Sequence, residues 1–265
     1  MNSPARLSAR PVAELRQAQP APSPLLHIQV LSKRFGERQI LGDVSLSIQP
    51  GEIVSLVGAS GCGKSTLLRI AAGLDKDFTG LVRCGGGRRP RGPHDIGVVF
   101  QEPRLFPWLS VAQNVAFAAG SPPLADARAL ALLDEVGLAA QARSLPKQLS
   151  GGQAQRAAIA RALYTEPRVL LLDEPFSAVD AFTRMKLQDL LADVARRHGV
   201  TLLLVTHDIE EAVLLGDRVV VLGTAARGIV SEVDVPLPRP RERRDADLAA
   251  LRTQVLDALH AAHAL

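Results

Sequence analysis

A chain of 265 residues, 47% of them hydrophobic, is long enough to bury one α/β core and carry a smaller appendage. A formal net charge of only +4 demands no nucleic-acid partner, and two cysteines make no disulfide framework, so a reducing cytoplasm fits. Because no apolar run reaches the roughly 18–20 residues that cross a bilayer, the chain is expected to be soluble or held at a membrane by a partner.

Residues 1–24 hold five prolines and several alanines without a continuous apolar stretch, which reads as a disordered lead and not a secretory signal. Leu26–Val30 and Val44–Ile48 then alternate apolar with polar residues, the pattern of half-buried strands in a small antiparallel sheet. Phe35 lies between them in the turn-like Lys33-Arg34-Phe35-Gly36. An aromatic face there could stack on a nucleotide base, and a core aromatic at a strand end reads equally well.

After the turn Pro50-Gly51 comes an apolar run, Ile53–Val57, and then Gly58-Ala59-Ser60-Gly61-Cys62-Gly63-Lys64-Ser65-Thr66. That stretch fits G-x-x-x-x-G-K-[ST], and Leu67–Ala72 continues as a helix closed by Gly73. Strand, glycine loop and helix in that order make a P-loop: backbone N–H groups close on phosphates, Lys64 reaches the β- and γ-phosphates, and Ser65 can ligate Mg²⁺. A nucleoside triphosphate is the implied ligand.

Ile96–Phe100 reads as a second buried strand, followed by Gln101, whose amide could touch both Mg²⁺ and an attacking water. Glu102–Leu109 puts Pro103, Phe106, Pro107 and Trp108 in a loop that suits protein docking or packing on neighbouring helices. Ser110 has capping-box spacing to Gln113 and should open a helix through Phe117; Leu124–Val136 should form an amphipathic helix stopped by Gly137. Leu149-Ser150-Gly151-Gly152-Gln153 precedes a run of good helix formers, so Ser150 is the expected N-cap of a second anion-binding helix terminus. One nucleotide needs one P-loop, so this terminus is assigned to the γ-phosphate held by a second copy of the chain.

Val169–Leu172 is a buried strand ending in Asp173-Glu174: the first carboxylate is placed for Mg²⁺, the second to accept a proton from the attacking water. Ser177–Asp180 is a short loop before another helix. Leu202–Val205 is followed by Thr206 and His207, whose imidazole could bond the γ-phosphate and orient the water. Gly58, Gln101, Asp173 and His207 thus each stand at or just beyond the end of a separate apolar run, as in a parallel sheet with its chemistry at the carboxyl edge. The basic cluster Arg239-Pro240-Arg241-Glu242-Arg243-Arg244 reads as a solvated, proline-bounded linker in preference to a contact with acidic lipid or nucleic acid.

With these motifs in place, the chain resembles the ATP-binding subunit of an ABC transporter over about residues 26–222: P-loop 58–66, Gln101 as Q-loop, Leu149–Gln153 as LSGGQ signature, Ser177–Asp180 as D-loop, His207 as switch histidine. The resemblance implies a P-loop NTPase at 25–235, with a RecA-like parallel-sheet core, an antiparallel β subdomain and a helical signature subdomain at about 102–164, then a tail with a short helix at 236–265. It also implies ATP and Mg²⁺, a head-to-tail dimer with each ATP between one P-loop and the other copy's signature, and an aromatic at Phe35 against adenine. Transmembrane permease subunits, and through them a periplasmic solute-binding protein, would be the partners at the cytoplasmic face of the inner membrane. A narrower likeness to nitrate/sulfonate/taurine importers rests on Phe100–Trp108, Asp180–Arg184 and Val235–Arg241; Glu37–Leu41 and Gly61–Gly63 lean toward the aliphatic sulfonate members. Val179 and Phe182 stand where Leu is usual in the family, and Ala154 replaces a longer polar residue. A soluble ABC ATPase of DNA repair or translation is the rival reading, yet one P-loop and one signature leave no room for a tandem unit or a long coiled coil. A sensing module without turnover would lack the carboxylate that Glu174 supplies.

Overall fold

The computed structural model describes residues 23–85, 95–120, 126–224 and 227–264. All but the last two residues of the expected N-terminal lead lie outside them. Strands β1 (Leu26–Phe35) and β2 (Arg38–Ile48) form an antiparallel hairpin that runs further than the alternation predicted. Pairing continues past a bulge between Lys33 and Arg34 to Phe35 opposite Arg38, so Phe35 ends a strand. The buried Lys33 ammonium explains the extension: it donates to Asp75 Oδ1 at 2.9 Å and lies 4.7 Å from the centre of the Phe35 ring.

Next in the chain are β3 (Ile53–Gly58), α1 (Lys64–Ala71) and β4 (Thr79–Cys84), the last pairing with β1 to complete a three-stranded sheet. The strand β5 (Ile96–Val99) leads into the helices α2 (Val111–Val115), α3 (Ala127–Glu135) and α4 (Gly151–Leu163). Ser110 and Gln113 make the expected capping box, but α2 tightens into a 3-10 turn at Ala116–Ala119 where an α-helix to Phe117 was expected. Beyond lie β6 (Val169–Asp173), α5 (Ala181–His198), β7 (Thr201–Val205), α6 (Ile209–Leu215), β8 (Arg218–Leu222), β9 (Ile229–Asp234) and α7 (Ala246–Ala264).

The main sheet has the order β5-β6-β7-β3-β8-β9, parallel except for β9. Its leucine runs have no polar alternation because both faces are covered. In β6, Leu170 and Leu172 pack with the helices α2 to α5, whereas Val169 and Leu171 pack with α1 and the antiparallel sheet. A third cluster joins α6, α7 and β8.

The basic tail is not a wholly solvated linker. The Arg241 side chain is buried, and its guanidinium donates to the carbonyls of Val213, Leu214 and Gly216 at the end of α6 and of Val235 and Leu237 ahead of it in the tail, while Glu242 and Arg244 are exposed. The last turn of a helix leaves carbonyls without partners, and a planar fork of five donors satisfies several at once. Burial, and then the neighbouring Arg239 charge, push the Arg241 pKa down to about 10. Arg241→Ala is expected to cost about 3 kcal/mol or more in a urea titration, because it orphans buried carbonyls; an unchanged midpoint would show that water replaces the guanidinium without loss.

Candidate active site

Four neighbouring strands of the parallel sheet, β5, β6, β7 and β3, deliver the motif residues to one edge. The P-loop leaves β3 at Gly58 and enters α1 through Gly63, whose φ of 106° suits glycine and where an added Cβ would come within 2.5 Å of Leu41 Cδ2. No side chain caps α1, so its first N–H groups face the loop unpartnered by a capping group, which favours an anion there. Lys64 is folded over the loop, its Nζ donating to the carbonyls of Gly58 at 2.8 Å and Ala59 at 2.9 Å. Burial raises the Cys62 pKa, so at neutral pH this loop residue stays a thiol packed in the core under Gly58.

Ser65 Oγ donates to Asp173 Oδ1 at 2.9 Å, across two elements 108 residues apart in sequence. Burial raises the Asp173 pKa against the pull of the Ser65 hydrogen bond, and the adjacent Glu174 charge adds to the rise. A half-buried carboxylate beside a hydroxyl is a hard oxygen pair short of positive charge, the donor set that Mg²⁺ accepts when phosphates complete its shell.

Glu174 adopts φ 45°, a left-handed conformation that costs a non-glycine residue about 1–3 kcal/mol. Three backbone interactions hold it there: its N–H donates to Val205 O at 2.9 Å, and its carbonyl accepts from Ser177 N at 3.2 Å and Ser177 Oγ at 2.9 Å. The side chain turned out by this backbone meets His207, with Glu174 Oε2 at 3.2 Å from Nδ1.

A cleft of about 700 Å³ is lined by Ser60, Gly61, Gly63, Lys64, Ser65, Thr66, Glu174 and His207, with Phe35, Arg38 and Ile40 on its other wall. Phe35 is 56% exposed, so it is not a core residue, although the Lys33 ammonium lies 4.7 Å from its ring centre. Arg38 was not singled out in the sequence; it faces Phe35 across the hairpin, and the register alone could have revealed it. Two other clefts, of about 790 and 770 Å³, lie where strands of the sheet begin and contain no glycine loop. Size therefore does not mark the site.

Not every predicted residue reaches this cleft. Gln101 is exposed and outside its lining, two residues beyond the end of β5. Asp180 caps α5 by accepting from the N–H groups of Phe182 and Thr183 at 3.1 and 3.0 Å. Ser150 and Gln153 cap α4 reciprocally, while Gly151 and Gly152 stand at its first turn away from the chain's own P-loop. A Cβ on Gly152 would come within 2.3 Å of Thr183 Cγ2, which ties this turn closely to the start of α5.

A parallel sheet bearing a P-loop at its centre, paired carboxylates on the next strand but one and a histidine between them defines a P-loop nucleotide-hydrolysing cassette. The comparisons narrow the class. Residues 41–177 match the family model described as ABC transporter. The chain is 58% identical over 245 residues to the aliphatic sulfonates import ATP-binding protein SsuB 1 of Xanthomonas axonopodis pv. citri, covering 90% of this chain and 97% of the relative. It is 57% identical over 250 residues to the protein of the same description from Pseudomonas aeruginosa UCBPP-PA14, covering 92% and 100%. Among solved structures it resembles cbiO1 from Clostridium perfringens, part of the ABC transporter complex cbiONQ, with TM-score 0.69, 28% identity and coverage of 80% and 89%. It also resembles a dimeric ATP-binding cassette in a post-hydrolysis state bound to ADP and Pi, with TM-score 0.67, 33% identity and coverage of 80% and 100%. The chain belongs to the ABC transporter family.

Proposed function

We propose that the chain is the ATP-hydrolysing subunit of an importer for aliphatic sulfonates. The observation that carries the catalytic half is the strained Glu174, held at 3.2 Å from His207 in the lining of the P-loop cleft. The solute rests on a likeness to sulfonate-import relatives that covers 90% and 92% of the chain.

In this reading the residues take the following roles. Gly58, Ala59, Ser60, Gly61, Cys62, Gly63, Lys64, Ser65 and Thr66 wrap the ATP phosphates and Phe35 stacks on adenine. Ser65 and Asp173, joined by Gln101 when its loop closes, would hold Mg²⁺, which neutralises charge on the β- and γ-phosphates when bound. Glu174 takes a proton from the attacking water and His207 holds that water and the γ-phosphate. Ser150, Gly151, Gly152 and Gln153 close the cleft of a second copy, with Asp180 beside them, so two chains share two ATP molecules. The chain works at the cytoplasmic face of the inner membrane as a peripheral subunit on transmembrane permeases, supplied indirectly by a periplasmic solute-binding protein. Among the described residues no helix is long and apolar enough to cross a membrane. Nothing in the charge pattern calls for nucleic acid.

The permease contact is placed at Trp108, 73% exposed, and at Phe106, which stacks on Phe117 with centroids 4.2 Å apart. Trp108→Ala is expected to reduce co-purification with the permease while leaving ATP affinity alone; undiminished co-purification would remove the docking role. Uptake of a labelled alkanesulfonate, run beside taurine and nitrate in cells carrying Glu174→Gln, tests the solute. Selective loss of alkanesulfonate uptake supports the reading, and selective loss of another solute reassigns it.

A further inference from the structure

Among the described residues, Glu211 is a buried acid that the catalytic reading leaves without a task. Glu211, in the first turn of α6, is 5% exposed, and burial raises its pKa. Its carboxylate is nonetheless fully engaged: Oε2 accepts from Thr206 Oγ1 at 2.6 Å and Oε1 accepts from Gln188 Nε2 at 3.1 Å. Arg184 on α5 and Asp208 at the cap of α6 are the charged groups beside it, with Arg184 Nε 3.8 Å from Glu211 Oε1 and Arg184 Nη1 3.6 Å from Asp208 Oδ2.

The direction of every bond in this chain is fixed by chemistry. Arg243 can only donate, and it donates to Gln188 Oε1 at 2.9 Å. That sets the Gln188 amide with its NH₂ toward Glu211, so the carboxylate accepts on both oxygens. The Thr206 hydroxyl must then give its proton to Glu211, which leaves its oxygen lone pairs for the N–H of Asp208, at 3.0 Å. Thr206 N–H donates in turn to Leu56 O, on the strand that carries the P-loop. The backbone on both sides of residue 207 is thereby held, while the His207 side chain itself is 64% exposed and contacts Glu174.

We propose that Glu211 is a positioning residue for ATP hydrolysis: through Thr206 it holds the segment 206–208 so that the His207 imidazole meets Glu174 and the γ-phosphate. Gln188 and Arg243 complete the device, anchoring the carboxylate to α5 and to the C-terminal tail. The proposal rests on the role assigned to His207 above. The exposed imidazole is held at its ring by Glu174, so its placement depends also on the rigidity of its backbone, and a displacement of about 1 Å can cost on the order of 100-fold in rate.

The test is steady-state ATPase of the purified full-length chain against ATP concentration, with binding of a fluorescent ATP analogue and thermal melting measured in parallel. Glu211→Gln and Thr206→Val should each lower kcat on the order of tenfold with little change in ATP affinity, since the first removes the charge from both bonds of the carboxylate and the second removes its Thr206 donor. Thr206→Ser, which keeps the hydroxyl, should restore turnover to within about twofold. In a His207→Ala background, Glu211→Gln should cause no further loss of kcat, because a residue acting through His207 has nothing left to position. Wild-type kcat in both Glu211→Gln and Thr206→Val, or an equal loss with and without His207, would overturn the positioning role. If Glu211→Gln does not fold, the Val and Ser variants at 206 decide. A His207→Ala chain with full turnover would refute the catalytic reading itself, and the positioning role with it; a slow His207→Ala beside full-speed Glu211→Gln and Thr206→Val refutes the positioning role alone.

Discussion

Glu174→Gln is expected to bind ATP as well as the parent chain and to hydrolyse it 10²- to 10⁴-fold more slowly, the range a general base contributes. Gln keeps the size of the side chain and one acceptor oxygen, so the pairing with His207 at 3.2 Å can survive. What it loses is the ability to take a proton. The backbone supports this separation of effects: the left-handed φ of 45° is held by Val205 O and by Ser177, none of which depends on the side-chain charge. Single-turnover hydrolysis with ATP affinity measured on the same samples checks the result. Turnover within a few-fold of the parent chain would mean that another group is the base.

Lys64→Ala is expected to weaken ATP binding by on the order of 100-fold or more, through two charge-assisted hydrogen bonds to phosphate. Lys64 Nζ is held against its own loop by the carbonyls of Gly58 and Ala59, so the cation is already inside the cleft when a nucleotide arrives. Little side-chain entropy then remains to be lost on binding, which favours affinity. The same contacts mean that Lys64→Ala also leaves two loop carbonyls without their donor. A circular dichroism melt must accompany the fluorescence titration, and an affinity within a few-fold of the parent chain in a folded sample would displace Lys64 from its assigned role. The two substitutions are expected to separate cleanly: one removes binding, the other only turnover.

The legible parts of the molecule share a physical property. A P-loop, a capped helix such as the one Ser150 opens, and an apolar strand such as Leu170–Leu172 are each specified by backbone geometry over a few consecutive residues. Strand ends could be ordered as well, because a strand buried on both faces must end where polarity begins. The errors were of another kind. The hairpin outran its alternation because Lys33 found Asp75 across 42 residues, and the arginine tail looked solvated because its prolines and mixed charges mark a polar linker. The acceptors of Arg241 include main-chain carbonyls at the end of α6, groups that carry no sequence signature.

From sequence alone came the P-loop and its ligand class, the capped signature helix, most strands of the parallel sheet, and the candidate residues Gln101, Asp173, Glu174 and His207, but not β4, β9 or the 19-residue length of α7. Tertiary structure alone decided that Ser65 meets Asp173, that Glu174 is strained toward His207, that Arg38 joins Phe35 on the cleft wall, and that Glu211, Gln188 and Arg243 stand behind Thr206. The division follows the range of the forces. Turn, cap and strand preferences act within a few residues and are written where they act, whereas a buried carboxylate finds its donors only after the sheet has closed and brought segments 23 and 55 positions apart into one low-dielectric place.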